Sequence, residues 1–236
     1  MTTHSGVASR LFLSADLVGS TARKQSLGLS SKWTGDVLAF YQQFPYRFAH
    51  ELKLRVEAMA KKVDGFALAA QPMLWKAVGD ELIYTMVVTT EHQVCAAVDA
   101  WMSAMRETEK TVLDKSRQDL KGGAWIATFP LPDRAIAIPL DHVTYDPDIE
   151  PEVVNRYLLD SADGGEVVSP ILVDYIGPSI DIGFRITSLA TPRRFTLSVE
   201  AAWAIAVSRL NTLDSTPVYF AGETELRGVW AGRGYP

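Results

Sequence analysis

Cysteine is almost missing from this 236-residue chain, which carries Cys95 alone. One thiol cannot close an intrachain disulfide or build a thiolate metal cluster, and such usage fits a reducing cytosol. Histidine is sparse as well. His4, His50, His92 and His142 are scattered with no HExxH spacing, which removes the common zinc-hydrolase reading. No stretch reaches the roughly 18 apolar residues of a membrane span, and the first residues lack the basic-then-apolar pattern of a secretory leader. A basic excess is also missing: 23 Lys and Arg stand against 28 Asp and Glu, a net charge of −5, which argues against a duplex nucleic-acid binder. Internal repeats, low-complexity segments and linkers are absent too. The expectation is a cytoplasmic protein with no membrane or duplex partner, read as one domain over 1–236.

What is present is an ordinary globular composition, 47% hydrophobic and 22% charged, with ample length for a core. Leu11 to Ala15 reads as a buried strand that delivers Asp16 at its end, and Gly19-Ser20-Thr21 then turns the chain and starts a helix. Met73 to Val78 and Leu82 to Val88 read as two strands flanking the hairpin tip Gly79-Asp80-Glu81. Two strand-end carboxylates, one beside a helix N-terminus with free N–H groups, could hold a Mg²⁺-bound triphosphate. Each aspartate alone has an ordinary alternative: Asp16 as a helix cap and Asp80 as a turn former.

Between and after these strands the spacing predicts helices. Val37, Tyr41, Phe44, Phe48 and Leu52 recur at helical intervals over 33–61, with Pro45 predicting a kink or a break into two helices. Residues 66–70 are read as strand or loop. A helix over 91–119 carries a core stripe of Val94, Val98, Trp101, Met105 and Val112. Residues 124–129 read as a strand. The proline-bearing region 130–151 reads as an irregular excursion with a short strand at 135–138. A further strand is expected at 166–168, followed by a turn at 174–179, a helix over 180–189, a strand over 195–198 and a helix over 199–210. A closing hairpin is expected from 218–220 with 226–230. The tight hairpin among interleaved helices favours an α+β, ferredoxin-like βαββαβ sandwich over a doubly wound parallel sheet.

Phe12-Leu-Ser-Ala-Asp-Leu-Val-Gly-Ser-Thr21, Lys76-Ala-Val-Gly-Asp80 and Tyr175-Ile-Gly-Pro-Ser-Ile-Asp-Ile-Gly-Phe-Arg185, in that order over about 10–230, resemble the class III nucleotidyl cyclase catalytic domain. Glu223-Thr-Glu-Leu-Arg-Gly-Val-Trp230 is similar to that family's closing strand. The resemblance implies a homodimer whose two active sites lie at the interface, each built from both chains. It implies that Asp16, Asp80 and the Leu17 carbonyl bind two divalent cations, Mn²⁺ or Mg²⁺. Gly19, Ser20 and Thr21 would meet the phosphates. Lys76 and Asp174 would read the base, with Ser14, Val78 and Ile180 beside the substrate. Asp181, where the family usually has Asn, would orient the ribose, and Arg185 would stabilise charge on the α-phosphate.

The donor Lys76 and acceptor Asp174 leave the base open. An ammonium can donate to adenine N1, cytosine N3 or uracil O4, and a carboxylate can accept from the 6-amino, 4-amino or N3–H group. Guanine fits least, because guanylate-forming relatives carry Glu at the position of Lys76. Ser14 stands where purine-cyclising relatives commonly have Phe, Gly123-Ala-Trp-Ile-Ala-Thr-Phe129 replaces a Gly-Ile-His-x-Gly strand, and Asp181 replaces Asn. This combination is similar to the pyrimidine cyclases of bacterial Pycsar antiphage defence. That similarity implies UTP conversion to cyclic UMP, which would switch on a separate cyclic-nucleotide-activated effector. Cyclic CMP, cyclic AMP and a catalytically dead homology domain are the alternatives, in that order. Trp75 and Tyr46 are candidates for a purine-excluding pocket wall, and each also fits a core aromatic.

Overall fold

The computed structural model describes residues 6–27, 32–141, 148–165, 170–212, 218–229 and 232–236. The chain builds β1 (Ala8–Leu17), α1 (Ser20–Leu27), α2 (Lys32–Ala60), β2 (Met73–Val78), β3 (Glu81–Val88), α3 (Glu91–Thr111) and β4 (Leu120–Phe129). It continues through β5 (Arg134–Pro139), α4 (Pro151–Gly164), β6 (Ile171–Ile176), α5 (Pro178–Thr187), β7 (Thr196–Leu197) and α6 (Val199–Thr212), and ends in β8 (Thr224–Glu225) and β9 (Gly234–Tyr235). The main sheet runs β2-β3-β1-β4-β7. Its first four strands are mutually antiparallel neighbours in the βαββαβ order, and β7 adds to the edge parallel to β4. The expected ferredoxin-like α+β architecture is therefore present.

Strand β1 is central and buried on both faces, which explains why its apolar run is continuous rather than alternating. Leu11, Leu13, Ala15 and Leu17 enter one core with Phe40, Phe44 and Phe48 of α2 and Val94, Val98, Trp101 and Met105 of α3. Phe12 points the other way, into a second core with Trp75, Ile83, Trp125, Tyr175 and Ile180. Period-two alternation carries Ser14 and Asp16 onto the same face as Phe12, so the strand leaves its aromatic core and ends in a carboxylate. The rings of Phe12 and Trp125 stack at 5.2 Å and 7°. Gly183 of α5 lies directly against Trp125, where a Cβ would come within 2.3 Å of the indole.

Several sequence expectations are corrected. Of the kink or break expected at Pro45, the break is absent, since helix α2 is one element through it. Proline removes a single backbone bond, and the buried Phe40, Phe44, Phe48 and Leu52 hold the helix on both sides of it. Helix α3 stops at Thr111 rather than 119, because a 3-10 turn at Asp114–Ser116 and the left-handed Arg117 (φ 51°) redirect the chain into β4. The region read as irregular ends in the regular helix α4, started by Pro151 at its first turn, a position where a fixed φ favours helix. Asp174 lies in strand β6, paired with β5, and not in a turn. The closing hairpin pairs 224–225 with 234–235 rather than 218–220 with 226–230. Residues 66–70 are irregular, and the strand expected at 166–168 lies outside the described residues. Among the described residues no helix is long and apolar enough to cross a membrane.

Candidate active site

The ends of β1 and β3 meet, with Asp16 opposite Glu81 on one side and Lys121 of β4 on the other. Gly79 takes φ +67° at the hairpin and Gly19 takes φ +74° before α1, a region that favours glycine. Tyr41 of α2 donates its hydroxyl to the Gly79 carbonyl at 2.9 Å, and the Leu17 amide donates to the Asp80 carbonyl at 3.4 Å. These bonds tie the hairpin tip to the end of β1. The result is a cleft of about 450 Å³ lined by residues 16–21, Asp80, Lys121 and residues 190–192. Five sequence-predicted residues besides Asp16 therefore share it: Leu17, Gly19, Ser20, Thr21 and Asp80.

Charge in the cleft is crowded. Burial pushes the Asp16 carboxyl above its usual range; Lys121, 3.2 Å away, partly offsets this, and the Asp80 charge adds to it. Glu81 is also raised, chiefly by burial, while the Ser14 hydroxyl that donates to it opposes the shift. Tyr41 is raised by burial and by the negative charge of Asp80, Asp16 and Glu81. Lys24 of α1 lies 3.5 Å from Asp80 and 5.6 Å from the centre of the Trp33 ring. Two ammonium groups thus already sit on the two aspartates. Hard oxygen donors of this kind suit Mg²⁺ or Mn²⁺. Among the described residues no group of three or more His, Cys, Asp or Glu side chains could hold a metal ion. Asp16, Asp80 and the Leu17 carbonyl fall short of an all-protein cage, and any Mg²⁺ held there would take its remaining ligands from other oxygens.

A second group lies on the aromatic face. Lys76 of β2 pairs with Asp174 of β6 at 2.8 Å. The indole N–H of Trp75 donates to the same carboxylate at 3.1 Å across 99 residues of sequence. Trp75 is buried, with ring contacts to Phe12 at 5.0 Å, Tyr175 at 5.5 Å and Phe184 at 5.9 Å, so it is a core aromatic. Tyr46 is not one: it is 81% exposed on α2, facing away from the apolar stripe that contains Phe44 and Phe48.

Helix α5 carries the remaining residues. Gly177 precedes it with φ +138°, and a Cβ there would meet the Asp133 carboxylate at 2.4 Å. Asp133, fully buried, accepts from the Ser179 amide at 2.9 Å and from the Thr128 amide at 3.4 Å. A carboxylate borrowed from another segment thus caps α5. Arg185 donates to the Asp181 carbonyl at 3.1 Å and to the Arg227 carbonyl. Asp181 is exposed, Val78 is exposed on the hairpin, and Ile180 and Ser14 are buried at 3% and 1% exposure. Ile180 packs in the aromatic core and Ser14 bonds Glu81 beneath the cleft, so the side chains assigned beside the substrate are divided between surface and interior. None of Lys76, Asp174, Asp181 or Arg185 lines the cleft that holds Asp16 and Asp80.

Three residues near these groups had no assigned role in the sequence reading. Lys121 is visible only through strand register, which sets it opposite Asp16. Lys24 reaches Asp80 only because α1 folds back along α2, tied by the Arg23–Asp36 pair at 2.8 Å. Asp133 sits in a proline-rich loop that reads as irregular, and only its contacts reveal it.

No protein-family model matches the chain, and no curated protein matches it in sequence. Among solved structures it is similar to the adenylyl cyclase CyaB from P. aeruginosa, with a TM-score of 0.57 and 12% identity over 98% of this chain and 92% of that one. It is also similar to the guanylyl cyclase Cya2, with a TM-score of 0.54 and 13% identity over 98% and 91% of the respective chains. Both superpositions span 98% of this chain, which has the fold of the class III nucleotide cyclase domains.

Proposed function

We propose that this chain is a nucleotide cyclase acting as one catalytic domain, with UTP as substrate and cyclic UMP and pyrophosphate as products. The observation that carries the cyclase reading is the meeting of Asp16 and Asp80 in one cleft at the start of α1. Asp16, Asp80 and the Leu17 carbonyl would hold two divalent cations. When bound, such ions lower the pKa of the ribose 3′-hydroxyl and neutralise charge on the departing pyrophosphate. The 3′-oxygen forms a bond to the α-phosphorus, and the bond from that phosphorus to the bridging oxygen of the β-phosphate breaks. The turn at Gly19, Ser20 and Thr21 offers amides to the phosphates, and Lys121 supplies a cation in the same cleft.

Lys76 donates to a base carbonyl or ring nitrogen, and Asp174 accepts a base N–H. Arg185 stabilises charge on the α-phosphate, and Asp181 orients the ribose. These four lie outside the cleft of Asp16 and Asp80, which supports a homodimer in which one protomer supplies the carboxylates and its partner the base-reading and arginine groups. The Pycsar-like departures at Ser14, Asp181 and Gly123–Phe129 support the pyrimidine choice. The histidine position of the usual strand is here Trp125, sealed in the aromatic core. A cytoplasmic setting and a downstream cyclic-nucleotide-activated effector in antiphage defence complete the reading.

Purified protein incubated with Mn²⁺ and each of the four ribonucleoside triphosphates tests it. Cyclic UMP is the expected dominant product. Cyclic AMP as the main product would overturn the pyrimidine choice, and no cyclic product from any triphosphate would overturn the cyclase reading. A monomer at micromolar concentration with full activity would overturn the shared-site arrangement.

A further inference from the structure

Asp174 Oδ1 is crowded in an unusual way. It accepts from the Lys76 ammonium at 2.8 Å, from the Trp75 indole N–H at 3.1 Å and from the Tyr175 amide at 2.9 Å. Among the described residues Oδ2 has no such partner. The same Trp75 ring also lies under the Lys76 ammonium, 4.5 Å from its centroid. One indole thus makes two different contacts, its edge N–H to the carboxylate and its face to the cation. Trp75 is itself held by the rings of Phe12, Tyr175 and Phe184, and its exposure is only 9%. A β-bulge falls between Leu74 and Lys76 in the β2–β3 pairing. Bulges re-aim side chains, and here Trp75 turns inward while its neighbour Lys76 stays within reach of the same carboxylate.

We infer that Trp75 is a specificity-determining positioning residue: its indole clamps Lys76 and Asp174 into one rigid donor–acceptor pair, leaving Asp174 Oδ2 as the single acceptor offered to the substrate base. This deepens the proposed function and rests on its assignment of Lys76 and Asp174 to the base. A free carboxylate on a strand rotates about its terminal torsion and could satisfy several base edges. With Oδ1 engaged by three donors, rotation would break bonds to charged or buried groups, which are the costly ones to lose. Discrimination between bases then follows from leaving a fixed polar group unpaired against the wrong edge. The ligand class is a nucleobase that presents one N–H donor beside one acceptor, the pattern shared by uracil N3–H and O4.

The experiment compares wild type, Trp75→Phe and Asp174→Ala as full-length chains. Phenylalanine keeps a ring in the aromatic core and removes the N–H. Steady-state kinetics with each triphosphate should show Trp75→Phe raising KM about tenfold, more than it lowers kcat, and shrinking the preference for the best base over the second by a similar factor. Unaltered base preference in Trp75→Phe, with preference lost in Asp174→Ala, would overturn the role of Trp75 alone. Unaltered preference in Asp174→Ala would overturn the base-reading assignment on which it rests. A second readout needs neither activity nor a core substitution. The ¹⁵N–¹H indole resonance of Trp75 should move upfield in Asp174→Ala as its acceptor disappears, and an unmoved resonance would overturn the clamp.

Discussion

The two polar groups of this molecule are built on opposite plans. The cleft around Asp16 and Asp80 is made of strand ends and turns that are near neighbours in the sheet, is open to water, and gathers like charges that are partly offset by Lys121 and Lys24. The Lys76–Asp174 pair joins two separate sheets, leans on a wall of aromatic rings, and satisfies its charges internally. The first carries unrelieved charge, since burial and then the neighbouring Asp80 charge raise the Asp16 carboxyl despite Lys121. The second is pre-organised, since its partners are already in place. The contrast teaches that, on the proposed function, the reaction's charge and the substrate's identity would fall to regions with different tolerance. One can lose a side chain without harm to the core, and the other cannot lose its packing without losing its geometry.

The largest expected effect breaks the first region alone. Asp80→Ala should lower cyclase turnover by about 10³-fold or more while thermal unfolding followed by circular dichroism hardly changes. A stability loss comparable to that of a core substitution would erase the distinction between the regions. Next comes the second region's support. In Gly183→Ala the new methyl would lie 2.3 Å from the Trp125 indole, and overpacking of this kind costs about 1–3 kcal/mol. Calorimetry should show a melting point lowered by about 3–10 °C.

Asp133→Asn should cost less, about 1 kcal/mol, because the amide still accepts one bond but loses the charge that favours a helix N-terminus. Its effect on turnover should exceed that of a surface substitution of equal stability cost, since α5 carries Arg185. The smallest effect concerns pH. The folded state raises the Glu81 carboxyl above its ordinary 4.5, so the protein binds that proton more tightly than the unfolded chain does. Ionising Glu81 therefore opposes folding, with the cost developing as pH rises from 4.5 through the raised value and absent below it. Glu81→Gln should raise the melting point by about 1 °C at pH 7, with the advantage vanishing near pH 4. A variant less stable than wild type at pH 7 would show that the bond from Ser14 outweighs the cost of burying the charge.

Much of the first region was legible in the residues. Gly79 and Gly19 mark backbone turns by conformational need, the apolar run before Asp16 marks a buried strand, and both signals are local. Helix α4 was not legible, because the prolines around it read as punctuation while Pro151 in fact starts a helix. Asp174 read as part of a turn for a similar reason: Gly177-Pro178 dominates its surroundings, and the strand exists only through pairing with β5. Tyr46 and Trp75 read alike, as core aromatics first and pocket-wall candidates second, and only Trp75 is in the core, since an aromatic's side of a helix or strand is set by its packing partners.

By itself the sequence determined the order of β1, α2, β2, β3, α3 and β4, the ferredoxin-like sandwich they imply, and the delivery of Asp16 and Asp80 at strand ends. These follow from periodicity and turn chemistry, which act over a few residues. Only the tertiary structure decided that Lys121 faces Asp16, that Asp133 caps α5 and that Trp75 bonds Asp174. Each joins residues distant in the chain, and such contacts form only where packing of the two cores brings separate segments within hydrogen-bond reach.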